Sequence, residues 1–183
     1  MKLYNLNSFY LVTDIQEHKQ NKMKLLSAIN SLPHNEIKNN ERDEFIHKTD
    51  WNLDEDVKRD YYDVFFPMIK PYMNKISEKM MCGRWSIDNY WFQVYGKTGQ
   101  HTWHLHNKAN WANVYFLHLP KNTLATEIYD YTTNTIINDI QVKEGQMLTF
   151  PAYMLHRSPK NNSDDLKVII AFNSNFDDTT LTF

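Results

Sequence analysis

Hydrophobic positions follow two different periods along this chain, and the change falls near residue 85. Before it, apolar residues recur at three- and four-residue spacing in two segments. After it, apolar and polar residues alternate, in short runs separated by clusters of turn-forming residues. A period near 3.6 predicts helix and a period of two predicts strand. The sequence therefore predicts helices in the N-terminal part and strands in the remainder.

The first helix is predicted between a capping box at residues 13–16 and the Leu32–Pro33 pair, where proline stops a helix. Residues 1–12 precede it and alternate loosely, which predicts an edge strand. Residues 35–42 follow it and are polar, which predicts a loop.

The second helix is predicted from a cap at Asn52 or Asp54 through an apolar stripe that covers residues 57–80. Pro67 and Pro71 each remove a backbone donor, so a kink or a restart is expected near them. A stripe of methionine and aromatic residues is typical of packing, and we expect it to cover the outside of a sheet.

Short strands with polar turns between them predict a sandwich or jelly roll. The predicted strands cover residues 90–95, the histidine-containing segment, and residues 113–116, 126–131, 135–142, 146–150, 154–158 and 167–173. A chain of 183 residues with 42% hydrophobic content is sufficient for one domain. We predict a single α+β domain, mainly β: residues 1–84 form a helical support region packed on the outside, and residues 85–183 form a double-stranded β-helix, or jelly-roll, core.

Composition excludes several classes of function. The formal net charge of −2 gives no footprint for a polyanion, so no nucleic acid partner is expected. The single cysteine, Cys82, excludes an intramolecular disulfide framework and suits a reducing compartment. Neither a basic-then-apolar leader nor an apolar run of about 18 residues is present, so we expect a soluble cytoplasmic protein without a membrane partner.

Three histidines are the candidate metal ligands. His104 and His106 stand two positions apart before a run of strand-forming residues, so alternation projects both to one side. His156 follows a short buried strand that a proline ends. Neutral imidazoles bind divalent metals, and a set of three leaves positions open for oxygen or a substrate. The alternative for each histidine is a hydrogen-bonded core or surface residue.

The order of these motifs resembles that of 2-oxoglutarate/Fe(II)-dependent oxygenases of the prolyl-hydroxylase-like kind, including those of marine bacteria and their phages. The resemblance rests on the His-x-His pair, residues 111–117, residues 144–156 and residues 167–173. It implies Fe(II) as the metal, 2-oxoglutarate as a small-molecule cosubstrate, and hydroxylation of a substrate. A prolyl or other protein side chain is the first expectation, a free metabolite the second, and the compartment is the host cytoplasm if the protein is viral.

The resemblance also implies how the cosubstrate is held. Lys167 matches the basic residue on the strand after the distal histidine, which binds the far carboxylate; its alternative is a surface lysine. Tyr95, Tyr115 and Asn113 are expected to line the same cavity and donate hydrogen bonds, and their alternative is a hydrogen bond within the core. Gln93 is a similar candidate. The roles of Arg157 and Asn173 stay open, and His101 and His118 are expected to be structural or exposed.

His106 departs from the usual family pattern, in which a carboxylate occupies its position. Three neutral imidazoles leave the full dipositive charge on iron, which favours an anionic co-ligand, either 2-oxoglutarate or a thiolate. Two alternatives follow: a three-histidine, cupin-like thiol dioxygenase, and a non-catalytic β-helix domain that binds a metal or ligand. The cupin alternative rests on residues 145–156, with Tyr153 where a glycine is usual. If His106 is not a metal ligand, Glu127 or Asp130 is the next candidate for the third ligand.

Overall fold

The computed structural model describes residues 8–179. The described chain folds into two helices and eleven strands. The elements, in chain order, are β1 (Leu11–Asp14), α1 (His18–Ser31), β2 (Asn35–Asn39), β3 (Glu44–Thr49), α2 (Asp60–Lys79), β4 (Cys82–Tyr95), β5 (His101–His104), β6 (Trp111–His118), β7 (Glu127–Asp130), β8 (Thr135–Ile137), β9 (Gln146–Pro151), β10 (His156–Ser158) and β11 (Lys167–Thr179).

The strands form two antiparallel sheets that share one core. The larger sheet has the order β1-β9-β6-β11-β4-β3-β2, and the smaller has the order β5-β10-β7-β8. Trp91, Phe150 and Ile169 from the larger sheet lie in one buried cluster with Ile128 from the smaller sheet. Burial of these side chains between two sheets is the main favourable free energy of a jelly roll. The predicted double-stranded β-helix is confirmed.

The helices cover the outer face of the larger sheet. A second buried cluster joins Ile29 of α1 and Phe65 of α2 to Tyr115 and Phe172 of the sheet. Because strand side chains alternate, the same strands that line the interior also supply this outer layer. The predicted packing of the apolar stripe on the outside of a sheet is confirmed.

Both helices begin later than predicted. Helix α1 begins at His18 with Glu17 at its N-cap, and Thr13, the predicted cap, lies in β1. Helix α2 begins at Asp60, after the predicted caps. Neither first turn has a capping hydrogen bond from a side chain. Local capping signals are worth about 1 kcal/mol, which strand pairing and burial outweigh.

The two prolines do not divide α2. Pro67 and Pro71 both lie within one helix of 20 residues. The missing donors cost backbone hydrogen bonds, but Phe65 and Ile69 beside them are fully buried against the sheet. Packing of this face therefore maintains the helix where the local sequence predicts a break.

The predicted loop at residues 35–42 is wrong for residues 35–39, whereas residues 40–42 form a turn. Residues 35–39 form β2, which pairs with β3 and extends the larger sheet beyond β4. The segment has few apolar residues because it lies at the sheet edge, where polar side chains are tolerated. The region predicted as helical support thus adds strands to the sheet. Strand β8 also ends at Ile137, earlier than expected.

The predicted N-terminal edge strand is found at Leu11–Asp14, where β1 pairs with β9 at the other edge of the sheet. The earlier part of that prediction, residues 1–7, lies outside the described residues. Within residues 8–179, neither helix is long and apolar enough to cross a membrane.

Candidate metal centre

Strand pairing brings the three candidate histidines together. His104 ends β5 and His156 begins β10, and the two residues are direct partners in the small sheet. His106 lies two residues beyond β5, where its backbone N–H donates to the Ala152 carbonyl at 2.9 Å. One ring nitrogen from each histidine lies within 4.8 Å of the other two. Residues 50 positions apart in sequence thus form one group of nitrogen ligands.

Two of these histidines have a defined tautomer. Nδ1 of His104 lies 2.7 Å from the carbonyl oxygen of Thr102, and Nδ1 of His156 lies 2.8 Å from that of Met154. A carbonyl only accepts, so each Nδ1 carries hydrogen and each Nε2 keeps its lone pair. Metal-binding histidines are commonly oriented by such a bond from the other ring nitrogen. The donor set therefore fits a divalent metal.

Burial keeps the three imidazoles neutral. It lowers the pKa of His104 to about 3 and the pKa of His106 to about 4, with a smaller contribution from the charge of His101. Burial also lowers the pKa of His156 well below its usual value. At neutral pH all three rings are in the uncharged form that binds metals.

His101, which was expected to be structural or exposed, is buried beside this group. Its ring stacks on that of His104. Nε2 of His101 lies 3.0 Å from a carboxylate oxygen of Glu44, and its Nδ1 lies 3.3 Å from Nε2 of Gln93. The Gln93 amide is oriented by Tyr95, whose hydroxyl donates to Oε1 at 2.7 Å. Glu44 could not be found from the sequence because it lies just beyond the segment predicted as a loop.

A cavity extends from the histidines into the space between the sheets. The three histidines, Tyr95 and Ser158 all border it. Apolar side chains such as Val114 and Ile169 supply much of the remaining wall. The three histidines and the polar side chains of Tyr95 and Ser158 therefore border one largely apolar space.

Lys167 is fully buried next to Ser158, which borders the cavity. Its amine donates to the carbonyl of Leu124 at 3.1 Å, to the carbonyl of Ala125, and to the Ser158 hydroxyl at 2.9 Å. The amine also lies 5.6 Å from the centroid of the Tyr95 ring. Burial lowers the pKa of Lys167 to about 7. The alternative of a surface lysine is excluded.

The four polar candidates divide between the two faces of the larger sheet. Tyr95 and Gln93 point toward the cavity, next to the histidines. Tyr115 packs against Phe65 of α2 and its hydroxyl lies 2.6 Å from Nδ1 of His18. Tyr115 therefore faces the helices, and its predicted position in the cavity is corrected.

Asn113 also belongs to the helix-facing side. Asn113 is among the residues that border the cavity, but its amide donates to the Ser174 hydroxyl at 2.9 Å and to the Phe172 carbonyl. Its Oδ1 accepts from Thr149 at 2.8 Å. Every polar atom of this side chain is used within the sheet, as the core alternative predicted. Strand parity places Asn113 with Tyr115, two positions away.

The alternative carboxylates do not join the histidines. Glu127 pairs with the guanidinium of Arg157, which also lies over the Trp103 ring at 4.7 Å. Asp130 is at the surface, where its oxygens accept from the backbone N–H of Thr132 and the hydroxyl of Thr133. Among the described residues, the group of three histidines is the metal-binding candidate.

The remaining candidates have separate positions. Arg157 and Asn173 both border the cavity. His118 is partly exposed at the end of β6, far along the sheet, where its Nδ1 lies 2.7 Å from Glu144. The expectation for His118 agrees with this position, whereas His101 is buried beside the histidines.

Part of this chain is similar to a known protein family. Residues 89–173 match the sequence profile of a family described as "Putative 2OG-Fe(II) oxygenase". This segment contains the three histidines, His101, Lys167 and Asn173. No curated protein matches the sequence.

Three solved structures have a similar fold at low sequence identity. A 2OG-Fe(II) oxygenase family oxidoreductase from Burkholderia pseudomallei aligns with a TM-score of 0.69 and 7% identity, over 90% of this chain and 84% of that chain. A Pseudomonas putida prolyl-4-hydroxylase aligns with a TM-score of 0.61 and 9% identity, over 91% and 93%. The viral collagen prolyl hydroxylase of Paramecium Bursaria Chlorella virus-1 aligns with a TM-score of 0.58 and 13% identity, over 92% and 96%. Residues 89–173 therefore resemble 2OG-Fe(II) oxygenases in sequence, and the described chain shares the fold of these three structures.

Proposed function

We propose that His104, His106 and His156 bind Fe(II), that 2-oxoglutarate binds in the cavity between them and Lys167, and that the protein hydroxylates a C–H bond of its substrate. The observation that carries this proposal is the cavity itself. It extends from the three histidines to Ser158 and Ala125, which accept hydrogen bonds from the buried amine of Lys167. A dicarboxylate that chelates a metal needs both a metal and a distant cation.

Fe(II) bound here, together with 2-oxoglutarate and dioxygen, supplies the oxidising chemistry. The chain supplies geometry and a dry environment. Backbone carbonyls hold the rings of His104 and His156 so that Nε2 is free. The apolar walls exclude water, which strengthens every electrostatic interaction in the cavity.

Lys167 is the proposed partner of the far carboxylate. Its amine donates hydrogen bonds to two backbone carbonyls and to the Ser158 hydroxyl, and it lies 5.6 Å from the centroid of the Tyr95 ring. A carboxylate is a stronger acceptor for a buried ammonium than a carbonyl is. The enclosed space measures about 30 Å³, so the dicarboxylate requires the lining side chains to rearrange. On binding, the far carboxylate would replace some of the present acceptors of the Lys167 amine, which are the carbonyls of Leu124 and Ala125 and the Ser158 hydroxyl.

The substrate is proposed to approach from the outer side of the histidines. A vestibule of about 230 Å³ lies there, and its walls include the indole rings of Trp51, Trp91 and Trp103 and the side chain of Arg42. Two of the three similar structures are prolyl hydroxylases. We propose a prolyl or other protein side chain as the substrate, because aromatic walls suit a compact, apolar C–H group. A free metabolite is the competing outcome.

The proposed compartment is a reducing one, such as the cytoplasm, or the host cytoplasm if the protein is viral. Support comes from the single cysteine, Cys82, which is free and partly exposed. A reducing compartment keeps such a thiol free.

An anaerobic titration tests the function. Under nitrogen, Fe(II) and then 2-oxoglutarate are added to the protein, and a visible charge-transfer band that needs both is expected. His104→Ala and His156→Ala variants should lose the band and the bound iron. A band that appears only with a thiol would support a thiol dioxygenase instead. Bound metal with neither band would support a non-catalytic domain.

A further inference from the structure

The hydrogen bonding of His106 differs from that of the other two histidines. His104 and His156 each face a backbone carbonyl through Nδ1, which sets their tautomer. Nδ1 of His106 instead lies 3.3 Å from the side-chain amide of Asn173. An amide can either donate or accept, so its orientation determines which ring nitrogen carries the hydrogen.

Asn173 reaches His106 because of its position in β11. It follows Ile169 and Ala171 at a period of two, and both of these side chains belong to the cluster between the sheets. A register shift separates Asn173 from Ser174, whose hydroxyl faces the other side of the sheet and contacts Asn113. The strand thus holds the Asn173 amide at the edge of the cavity, where it is 5% exposed.

With Nδ2 toward the ring, Nδ1 would accept and Nε2 would carry the hydrogen. That tautomer has no lone pair for a metal at Nε2. Oδ1 of Asn173 is then buried without a hydrogen-bond partner among the described residues, and exchange of the two amide atoms moves Nδ2 to that position. The oxygen and nitrogen of an amide are nearly isosteric, so either atom can face the ring. Exchange of the two atoms gives Oδ1 the Nδ1–H of His106 and frees Nε2.

We propose that Asn173 is a positioning residue: its side-chain carbonyl accepts from Nδ1–H of His106 and fixes the tautomer whose Nε2 faces the iron. This inference rests on the proposed metal site. It gives all three rings the same arrangement, with Nδ1–H on an oxygen acceptor and a lone pair on Nε2. A carboxylate ligand has no tautomer to fix. The proposed role of Asn173 is therefore needed only because a histidine, His106, occupies that position in this chain.

The first test reads the tautomer without metal. In ¹⁵N-labelled, metal-free protein at pH 7.5, the imidazole nitrogen shifts report which nitrogen carries hydrogen, and a His106→Gln variant assigns the signals. We expect His106 to be protonated at Nδ1 in the parent and in Asn173→Asp, since a carboxylate only accepts. In Asn173→Leu, which has no acceptor, the Nε2-protonated form should become populated. An Nε2-protonated His106 in the parent would overturn the proposal.

The second test measures Fe(II) affinity under nitrogen. Asn173→Leu should weaken binding by about 10- to 100-fold, the usual effect of losing a partner of a metal-bound histidine. Asn173→Asp should retain affinity within about threefold of the parent. The control is Asn175→Leu, which removes a hydrogen bond from the Asn110 N–H to the same strand and should leave affinity unchanged.

The two tests distinguish failure of the proposed metal site from failure of the proposed role of Asn173. Parent protein that shows the Nδ1 tautomer but takes up no Fe(II) would refute the metal site and leave the orientation of Asn173 intact. Tight Fe(II) binding that is equal in the parent and Asn173→Leu would refute the role of Asn173 and leave the metal site intact. An equal loss in Asn173→Asp and Asn173→Leu would also refute it, because the acceptor would then not matter.

Discussion

The ring of His101 stacks on the ring of His104, with their centroids 3.9 Å apart and their planes 19° from parallel. Neither ring can rotate freely in this arrangement. His101 is itself held by Glu44 at one nitrogen and by Gln93 at the other. The orientation of a proposed iron ligand therefore depends on a carboxylate from β3, a strand outside the segment that matches the family profile.

Removal of His101 should weaken metal binding without removing a ligand. His101→Leu keeps an apolar side chain against His104 but loses the contacts to Glu44 and Gln93. We expect Fe(II) affinity to fall by about tenfold, at the lower end of the effects of outer residues on metal sites. The control is His34→Ala, a change at an exposed histidine that should leave affinity unchanged. Affinity equal to that of the parent in His101→Leu would show that the stacking does not orient His104.

Two substitutions of His106 separate a ligand from a hydrogen-bonded residue. His106→Ala should weaken Fe(II) binding, because one nitrogen is lost and nothing replaces it. His106→Asp restores the common carboxylate and should retain iron, although the shorter side chain must approach the metal. Anaerobic titration of the parent and both variants measures this. The same affinity in all three proteins would remove His106 from the site.

Lys167 should determine the affinity for 2-oxoglutarate. Lys167→Met fills the space of the side chain but cannot pair with a carboxylate. We expect 2-oxoglutarate binding to weaken by about 2 kcal/mol or more, with unchanged iron content. The control is Lys97→Met, at an exposed lysine that pairs with Asp164. Calorimetry on the iron-loaded protein under nitrogen checks the prediction, and full affinity in Lys167→Met would assign the carboxylate to another partner.

Binding of 2-oxoglutarate should also take up a proton. Burial lowers the pKa of Lys167 to about 7, so its amine is partly neutral in the free protein near that pH. A bound carboxylate favours the charged form and raises this pKa. Above pH 7 the affinity should therefore fall as pH rises, by up to about tenfold per unit. Calorimetry in buffers of different ionisation enthalpy measures the uptake, which Lys167→Met should abolish.

Glu144 should stabilise the fold at neutral pH and lose this effect in acid. Burial alone would raise its pKa, but hydrogen bonds from Lys22, the Leu119 N–H and His118 outweigh burial and lower the pKa to about 2. His18 also lies 3.4 Å from its carboxylate. A lowered folded-state pKa adds stability that is fully present above the unfolded pKa of about 4.5 and is lost toward pH 2.

Glu144→Gln tests this ion-pair cluster. At pH 7 the variant should have a free energy of unfolding lower by about 1 kcal/mol, since the cluster is partly exposed to solvent. Urea unfolding at several pH values should show this difference shrinking below pH 4.5. A difference that is independent of pH would mean that the charge of Glu144 does not contribute.

The jelly-roll core and two candidate metal ligands, His104 and His156, could be predicted from the sequence. Alternation of period two survives wherever a strand has one face on a core, so residues 85–173 could be assigned from pattern alone. His104 and His156 stand out because their chemistry is read from residue type and the motifs around them. Lys167 was named from the family resemblance, which places a basic residue on the strand after the distal histidine.

Helix starts, edge strands and the face on which a side chain lies depend on tertiary contacts, which local sequence patterns do not contain. Thr13 does not cap a helix because it pairs with β9 as part of β1. The polar segment at residues 35–39 is a strand because it pairs with β3 at the edge of the sheet. Tyr115 and Tyr95 have the same residue type and similar flanking patterns, but they lie on opposite faces of one sheet. The two-residue period of a strand shows that its side chains lie on two faces of the sheet. It does not show which of these faces the helices cover. His101 and Asn173 gain their roles only from the contacts that folding brings to His104 and His106.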